Sequence, residues 1–240
     1  FILSQMEQHG SSYAESVAEA QRLGYAEADP TLDVNGSDAA QKLAILAHLA
    51  YGAKVNWHNI PRVGIDAVNP ADIHYAGELG YRVKLLATAE LEQNGLELRV
   101  SPTLVRQGSP LAEVRGAFNA VRVIGDAVGP VFFHGQGAGQ MPTASAVVAD
   151  LIDTIVGRMA ITFRTLQLWS SGNEPAVTMR SAEHAQSRYY LRFRVNDRPG
   201  VLAEIAGILG SHEISIASVI QHEAAEDGDE FVPLIIMTHS

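Results

Sequence analysis

The sequence predicts an α/β chain of the α+β kind: a mixed sheet with covering helices, followed by a second, smaller strand-helix-strand unit. Three observations carry that prediction. Two β-rich runs, Arg82 to Leu91 and Leu96 to Arg106, flank Gln93-Asn94-Gly95, a strong hairpin signal. An apolar helical pattern, AAQKLAILAHLAYG, runs from Ala39 to Gly52. A polar, aperiodic stretch from Trp169 to Ser187 then separates the first part from a renewed strand and helix pattern at Arg188. Residues 1–168 are thus read as one domain, 169–187 as a linker and 188–240 as a second domain.

The run from Gly24 to Lys42, GYAEADPTLDVNGSDAAQK, sets four carboxylates and one lysine around a turn and a helix start. Pro30 and Asn35-Gly36 are turn formers, so Glu27, Asp29 and Asp33 are expected on an irregular loop. Ser37 or Asp38 is expected to cap the helix that follows, and Gly52 to stop it. Ala39, Ala40, Leu43, Ala44, Ile45, Leu46, Ala47, Leu49 and Ala50 cover nearly its whole circumference, the pattern of a helix buried on most sides. Lys42 is its only Lys or Arg. Asp38 and Lys42 are four apart and share a face, where a partly desolvated lysine can exchange a proton with a substrate hydroxyl near neutral pH. An ordinary helix-start ion pair would have the same spacing.

Residues from the helix to about 80 mix loop and short helix, and lead into the hairpin. Asn119 to Ile124 and Pro130 to His134 give two more strands around Gly125-Asp126. The glycine-rich turn from Gly135 to Thr143 follows, before a long helix from Thr143 to about Leu168. Such a strand-to-helix turn exposes backbone N–H groups at a helix start, suited to an anion or a closely packed cofactor. Gln140 stands where a dinucleotide fingerprint has its last glycine, and a simple tight turn explains the residues as well.

In the last part, Tyr190, Arg192 and Arg194 alternate with Leu191, Phe193 and Val195, the pattern of a half-buried strand. Val201, Leu202, Ile205, Ala206, Ile208 and Leu209 give an amphipathic helix, which Gly210 ends. Strands are expected at Ser215 to Gln221 and Glu230 to His239.

Composition narrows the function classes. The 240 residues are 47% hydrophobic, enough for one sizeable core and a smaller second unit. A net charge of −10 argues against a nucleic-acid or anionic-membrane surface, and no apolar stretch reaches membrane-spanning length. The expectation is a cytoplasmic protein without a signal peptide. With no cysteine there is neither a disulfide nor a thiolate zinc site, and the nine histidines include no H-E-x-x-H pair, so no metal is expected. His48, His58, His74 and His134 read as helix, loop or strand-end residues.

Gly24-Tyr25-Ala26-Glu27-Ala28-Asp29-Pro30, followed by Asp33, Gly36, Asp38 and Lys42, resembles the signature of homoserine dehydrogenases, a G-Y-x-E-x-D-P loop leading into a D-x-x-x-K helix. The resemblance implies interconversion of L-homoserine and L-aspartate 4-semialdehyde with NAD or NADP. Lys42 would be the proton donor and acceptor at the alcohol oxygen, and Glu27 would grip the substrate ammonium. Asp33, Asp38 and Tyr25 would be further substrate contacts. These roles suit the chemistry: hydride transfer leaves an alcohol proton to be accepted, and a zwitterionic substrate needs an anion opposite its ammonium.

The phrase HGQGAGQMPTASAVVADL resembles the family's return to its nucleotide domain, which implies a cofactor contact at Gly139 and a weaker one at Gly137. In the family a Rossmann domain precedes such a segment, and no G-x-G-x-x-G opening is present here. The expectation is therefore a C-terminal portion, inactive alone, whose helix face through Val147, Val148, Leu151, Ile152 and Ile155 is left uncovered. The resemblance further implies a homodimer or higher oligomer.

VNDRPGVLAEIA resembles an ACT domain, a ferredoxin-like regulatory fold, with its last helix and strand still to come after His239. This implies an amino-acid effector, threonine, near Asn196, Asp197 and Gly200, although Asp197 to Gly200 also suits a plain helix-initiating turn. Two function classes are thus in play: an NAD(P)-dependent oxidoreductase, and a non-catalytic amino-acid sensor built on the ACT unit. The clustered carboxylates beside Lys42 favour the first.

Overall fold

The structure, a computed structural model, describes residues 1–165, 177–180, 187–222 and 231–239. The chain divides into two compact units, residues 1–182 and 183–240.

The first unit opens with α1 (Ile2–His9) and α2 (Tyr13–Arg22). Gly10, left-handed at φ 64°, closes α1, and Ser12 with Glu15 forms a complete capping box on α2. A loop leads to the single turn α3 (Thr31–Val34) and then to α4 (Ser37–Tyr51). After a 3₁₀ turn at Trp57–Asn59 comes α5 (Pro70–Glu78), with Asn69 as its cap and Pro70 at its first position. The long hairpin of β1 (Tyr81–Glu92) and β2 (Gly95–Arg106) follows. A second hairpin joins β3 (Phe118–Gly125) and β4 (Gly129–Gln136).

The α and β mixture is the one the sequence predicts, but these strands form two separate antiparallel pairs among the described residues, not one continuous mixed sheet. In the first hairpin Gln93 and Asn94 make the turn, while Gly95 already pairs with Glu92.

One face of the β1–β2 hairpin carries two apolar clusters. Val83, Leu85 and Leu104 pack with α1, α2, α5 and Ile65. Leu96, Leu98 and Val100 pack with Ala40, Leu43 and Ala47 of α4. The outer edge of β2 is covered in two places. Arg62 bridges Val100, and Met179 bridges Leu96, both in parallel. Covering an edge in this way removes unpaired backbone groups that would otherwise recruit another strand.

The long helix expected from Thr143 is two: α6 (Gln140–Ile155) and α7 (Arg158–Thr165). Gly157, at φ 78°, breaks between them, a conformation that leaves the α-helical region. Residues 166–168 lie outside the described residues. The expected uncovered face is present: Val147, Val148, Leu151, Ile152 and Ile155 are all exposed. Of the span read as a linker, 169–187, only 177–180 and Ser187 are described. The Leu96 N–H donates to the Thr178 carbonyl at 2.8 Å, and the Arg180 N–H donates to the Leu96 carbonyl at 2.9 Å. That stretch is held on the first unit.

The second unit comprises β5 (Tyr190–Asn196), α8 (Val201–Ser211), β6 (Ile216–Gln221) and β7 (Phe231–Thr238). Its sheet order is β5-β7-β6, with β7 antiparallel to both neighbours. This is a split β-α-β arrangement with the last strand inserted between the first two. Leu209 packs with Leu234 and Ile236 at its core. Glu230, expected at the start of the last strand, lies outside the described residues.

Candidate active site

The loop between α2 and α3 is built by side chains bonding to nearby backbone. Gln21 donates from Nε2 to the carbonyls of Glu27 at 3.0 Å and Ala28 at 3.1 Å. The Glu27 N–H donates to Asp33 Oδ2 at 3.2 Å. Asp29 Oδ1 accepts from Thr31 Oγ1 at 2.5 Å and from the Thr31 N–H at 3.1 Å. These bonds, the hydroxyl's first, hold the Asp29 carboxyl below the usual aspartate range. Asp33 lies on the single turn α3, not on an irregular loop, and its carboxylate braces the Glu27 backbone. The Tyr25 ring lies 5.1 Å from that of Phe1, centre to centre. The carboxylate of Glu27 is exposed on this braced loop.

The expected cap at Ser37 or Asp38 is corrected. Gly36, at φ 82°, is the cap residue of α4, and neither side chain caps the helix. The Ser37 N–H instead meets Asn35 Oδ1 at 2.9 Å. Gly36 takes this place because the chain enters the helix in the left-handed region, which glycine occupies without cost. At the other end Gly52 stops the helix at φ 65° as expected.

Burial of α4 on most sides is also corrected. Only the stripe of Ser37, Ala40, Leu43 and Ala47 is buried, while Ile45, Leu46 and Leu49 are exposed. Asp38 and Lys42 stand on the same face as Ile45 and Leu49, which lie three and seven residues beyond Lys42 along the helix. Lys42 Nζ donates to Asp38 Oδ2 at 2.6 Å. Their side chains are 69% and 44% exposed, so the desolvated lysine expected from the sequence is instead an open ion pair. The physical reason is geometric: the hairpin covers the opposite face of the helix. Asp38 and Lys42 thus stand on an open helix face one turn inside α4, with an apolar stripe beyond them, and Glu27 stands separately on its braced loop.

The glycine turn after β4 was the second candidate. Gly139, at φ 117°, sets the start of α6, which no side chain caps. Gly137 lies against Asn119: a Cβ there would collide with the Asn119 side-chain amide, with Cγ at 3.3 Å. Asn119 is a neighbour that sequence reasoning missed, since it becomes one only through the β3–β4 register. In the second unit Asn196 ends β5, and Gly200, at φ 96°, starts α8. Between them Asp197 is exposed, and Arg198 holds Glu204 at 2.9 and 3.1 Å.

Other polar groups make local contacts. His48 Nδ1 contacts the Ala53 carbonyl at 3.1 Å, and His74 pairs with Glu78 at 2.9 Å. Among the described residues no group of His, Cys, Asp and Glu could hold a metal ion, and no helix is long and apolar enough to cross a membrane. Sequence reasoning also missed Glu97, which is 1% exposed and pairs with Arg99 and with Arg180 Nη2, the latter at 2.6 Å. Desolvation pushes its carboxyl up, but the two guanidiniums outweigh that and hold it below the usual glutamate range.

Residues 1–152 match the family described as homoserine dehydrogenase, and residues 189–239 match the ACT domain. A homoserine dehydrogenase of Pseudomonas aeruginosa is 45% identical over the whole of this chain, which spans 55% of that relative's length. The solved homoserine dehydrogenase of Thiobacillus denitrificans superposes with a TM-score of 0.85 at 45% identity, covering all of this chain and 54% of that one. The S. aureus enzyme gives 0.70 at 32% identity, covering 98% and 54%.

Proposed function

The chain belongs to the homoserine dehydrogenase family, and from that premise we propose that it supplies the substrate site of an NAD(P)-dependent enzyme interconverting L-homoserine and L-aspartate 4-semialdehyde. The observation that carries this reading is the Asp38–Lys42 pair at 2.6 Å on α4, which follows the Glu27 loop and α3. An amine on α4 and an exposed carboxylate on the loop before α3 match the two ends of an amino alcohol. Glu27 takes the substrate ammonium, and Lys42 stands at the alcohol oxygen.

In the reducing direction the Lys42 ammonium donates its proton to the oxygen that becomes the alcohol; in the oxidising direction the amine takes it back. Asp38 orients Lys42 through their hydrogen bond, and Asp33 orients Glu27 through its backbone. Tyr25 packs at the loop's entry.

Bound NAD(P) supplies the hydride acceptor or donor at the substrate carbon. The turn from Gly135 to Gly139 fits one edge of such a group: Gly139 holds a backbone that excludes other residues, and the first N–H groups of α6 have no side-chain cap. No Lys or Arg lies in residues 135–143, so this turn offers the dinucleotide backbone N–H groups rather than a side-chain cation. Gly139 is the assigned contact and Gly137 the second.

Residues 1–168 are assigned as the substrate domain, working as a homodimer in the cytoplasm, and 188–240 as the regulatory domain. Threonine is assigned to the loop of Asn196, Asp197 and Gly200, whose backbone turn at the start of α8 suits a carboxylate. The test is homoserine oxidation by the enzyme with its nucleotide domain in place. Glu27→Gln is expected to raise KM for homoserine at least tenfold, a loss of about 1.4 kcal/mol or more. An unchanged KM would remove Glu27 from the site.

A further inference from the structure

Gly64 is buried where two segments cross beneath the start of α4. The Val63 N–H donates to the Val100 carbonyl at 2.9 Å, and the Val100 N–H donates to the Pro61 carbonyl at 2.9 Å, which pins residues 61–63 to β2. One residue later the Ile65 N–H donates to the Val34 carbonyl at 2.7 Å, which pins the turn of residues 34–36 to the same strip. Gly64 sits between these anchors. A Cβ there would overlap the Val34 carbonyl oxygen and lie 2.6 Å from Asn35 Cα and from Asp66 Oδ1. Two of those three atoms are backbone, so the strain could be relieved only by moving the 34–36 turn or the strip itself.

That turn is what sets α4. Gly36 is the helix cap, and its own Cβ position would be 3.2 Å from Val100 Cγ1 and 3.5 Å from the Val63 carbonyl oxygen. Asn35 Oδ1 takes the Ser37 N–H. Val100 thus holds the strip, the strip holds the turn, and the turn fixes where Asp38 and Lys42 begin. We infer that Gly64 is a positioning residue for Lys42, its missing side chain letting residues 34–36 seat on the strip of residues 61–65 and so setting the first turns of α4. The inference rests on the proton-transfer role proposed above for Lys42. A methyl group at Gly64 displaces the turn, and a misplacement near 1 Å at a reacting group costs on the order of 100-fold in rate.

The test compares Gly64→Ala, Lys42→Ala and the double variant in the enzyme with its nucleotide domain, with Gly77→Ala as control. Gly77, on α5, has nothing within 4 Å of its Cβ position. The expected result for Gly64→Ala is a fall in kcat of about 100-fold per folded molecule with KM for the nucleotide unchanged, and no further fall when added to Lys42→Ala. Gly77→Ala keeps native kcat. If Gly64→Ala does not fold, Asn35→Ala replaces it: it removes the acceptor of the Ser37 N–H without adding bulk. Its expected effect is roughly a tenfold loss of kcat, again absent in the Lys42→Ala background. Near-native kcat in the variant used, or the same fold loss with and without Lys42, overturns the inference while leaving the role of Lys42 standing. A Lys42→Ala enzyme with native kcat overturns both.

Discussion

Arg180→Ala tests how residues 177–180 are held on the first unit. Arg180 is 9% exposed and its guanidinium meets Glu97 Oε2 at 2.6 Å, Glu92 at 2.5 Å and Asn94 at 3.3 Å. Removing one partner of a buried pair costs about 3–5 kcal/mol, because the other charge stays behind unpaired. Glu97 keeps Arg99, and Arg180 Nε is buried without a partner among the described residues, so the low end applies, about 3 kcal/mol. The contact with the exposed Glu92 adds less than about 1 kcal/mol. In a unit of this length each kcal/mol moves the unfolding midpoint by roughly 2–4 °C, which gives a fall of about 6–12 °C.

The pH dependence has a definite sign. Glu97 is held below its ordinary value of 4.5, so its stabilisation is complete above that value and disappears as pH falls through the lowered one. In Arg180→Ala the weaker pairing moves this acid loss to higher pH. Urea unfolding of the native chain and the variant, at pH 7 and in steps down to about pH 3, measures both effects. A cost below about 1 kcal/mol at pH 7, or acid loss at the same pH in both proteins, would refute the reasoning.

Three further outcomes are expected. Gly95→Ala should destabilise the first unit by about 1–3 kcal/mol in urea unfolding, since φ is 133° there and a Cβ would lie 2.6 Å from the Thr178 carbonyl oxygen. Ser12→Ala should cost about 1 kcal/mol by the same assay, because it removes the capping box of α2. Threonine at a hundred times its Kd should stabilise the protein by about 2.7 kcal/mol in thermal melts, and Gly200→Val should abolish that gain.

The hairpin of β1 and β2 was readable because Asn-Gly between alternating runs is a local signal, and the pairing of Glu92 with Gly95 lies one residue from it. The existence and end of α4 were readable for the same reason: Gly52 stops it within the chain's own geometry. Its buried face was not. A helix rich in Ala and Leu all round does not reveal which side finds a partner, and here the hairpin takes the stripe of Ala40, Leu43 and Ala47. The cap was misassigned because Gly36 enters the helix left-handed, which overrides the ordinary preference for Ser37 or Asp38.

At the candidate site, Glu27, Asp33, Asp38 and Lys42 were singled out by resemblance to a signature with fixed gaps; the Asp38 to Lys42 contact that their spacing suggests is present, and the bond from the Glu27 N–H to Asp33 is one that spacing did not suggest. What spacing could not give was exposure, which depends on the face of α4 that the hairpin covers. Gly64 and the 34–36 turn meet across about thirty residues of chain, and Glu97 and Arg180 across 83. No periodicity joins positions so far apart, and only the tertiary packing brings them together.

The central claim is tested most directly by steady-state homoserine oxidation with NADP and NAD, comparing the native enzyme, nucleotide domain in place, with Lys42→Ala. The account predicts that Lys42→Ala folds, keeps KM for homoserine within a few-fold and loses about 100-fold or more in kcat. Native kcat in Lys42→Ala, or a loss confined to KM, would contradict proton transfer by Lys42.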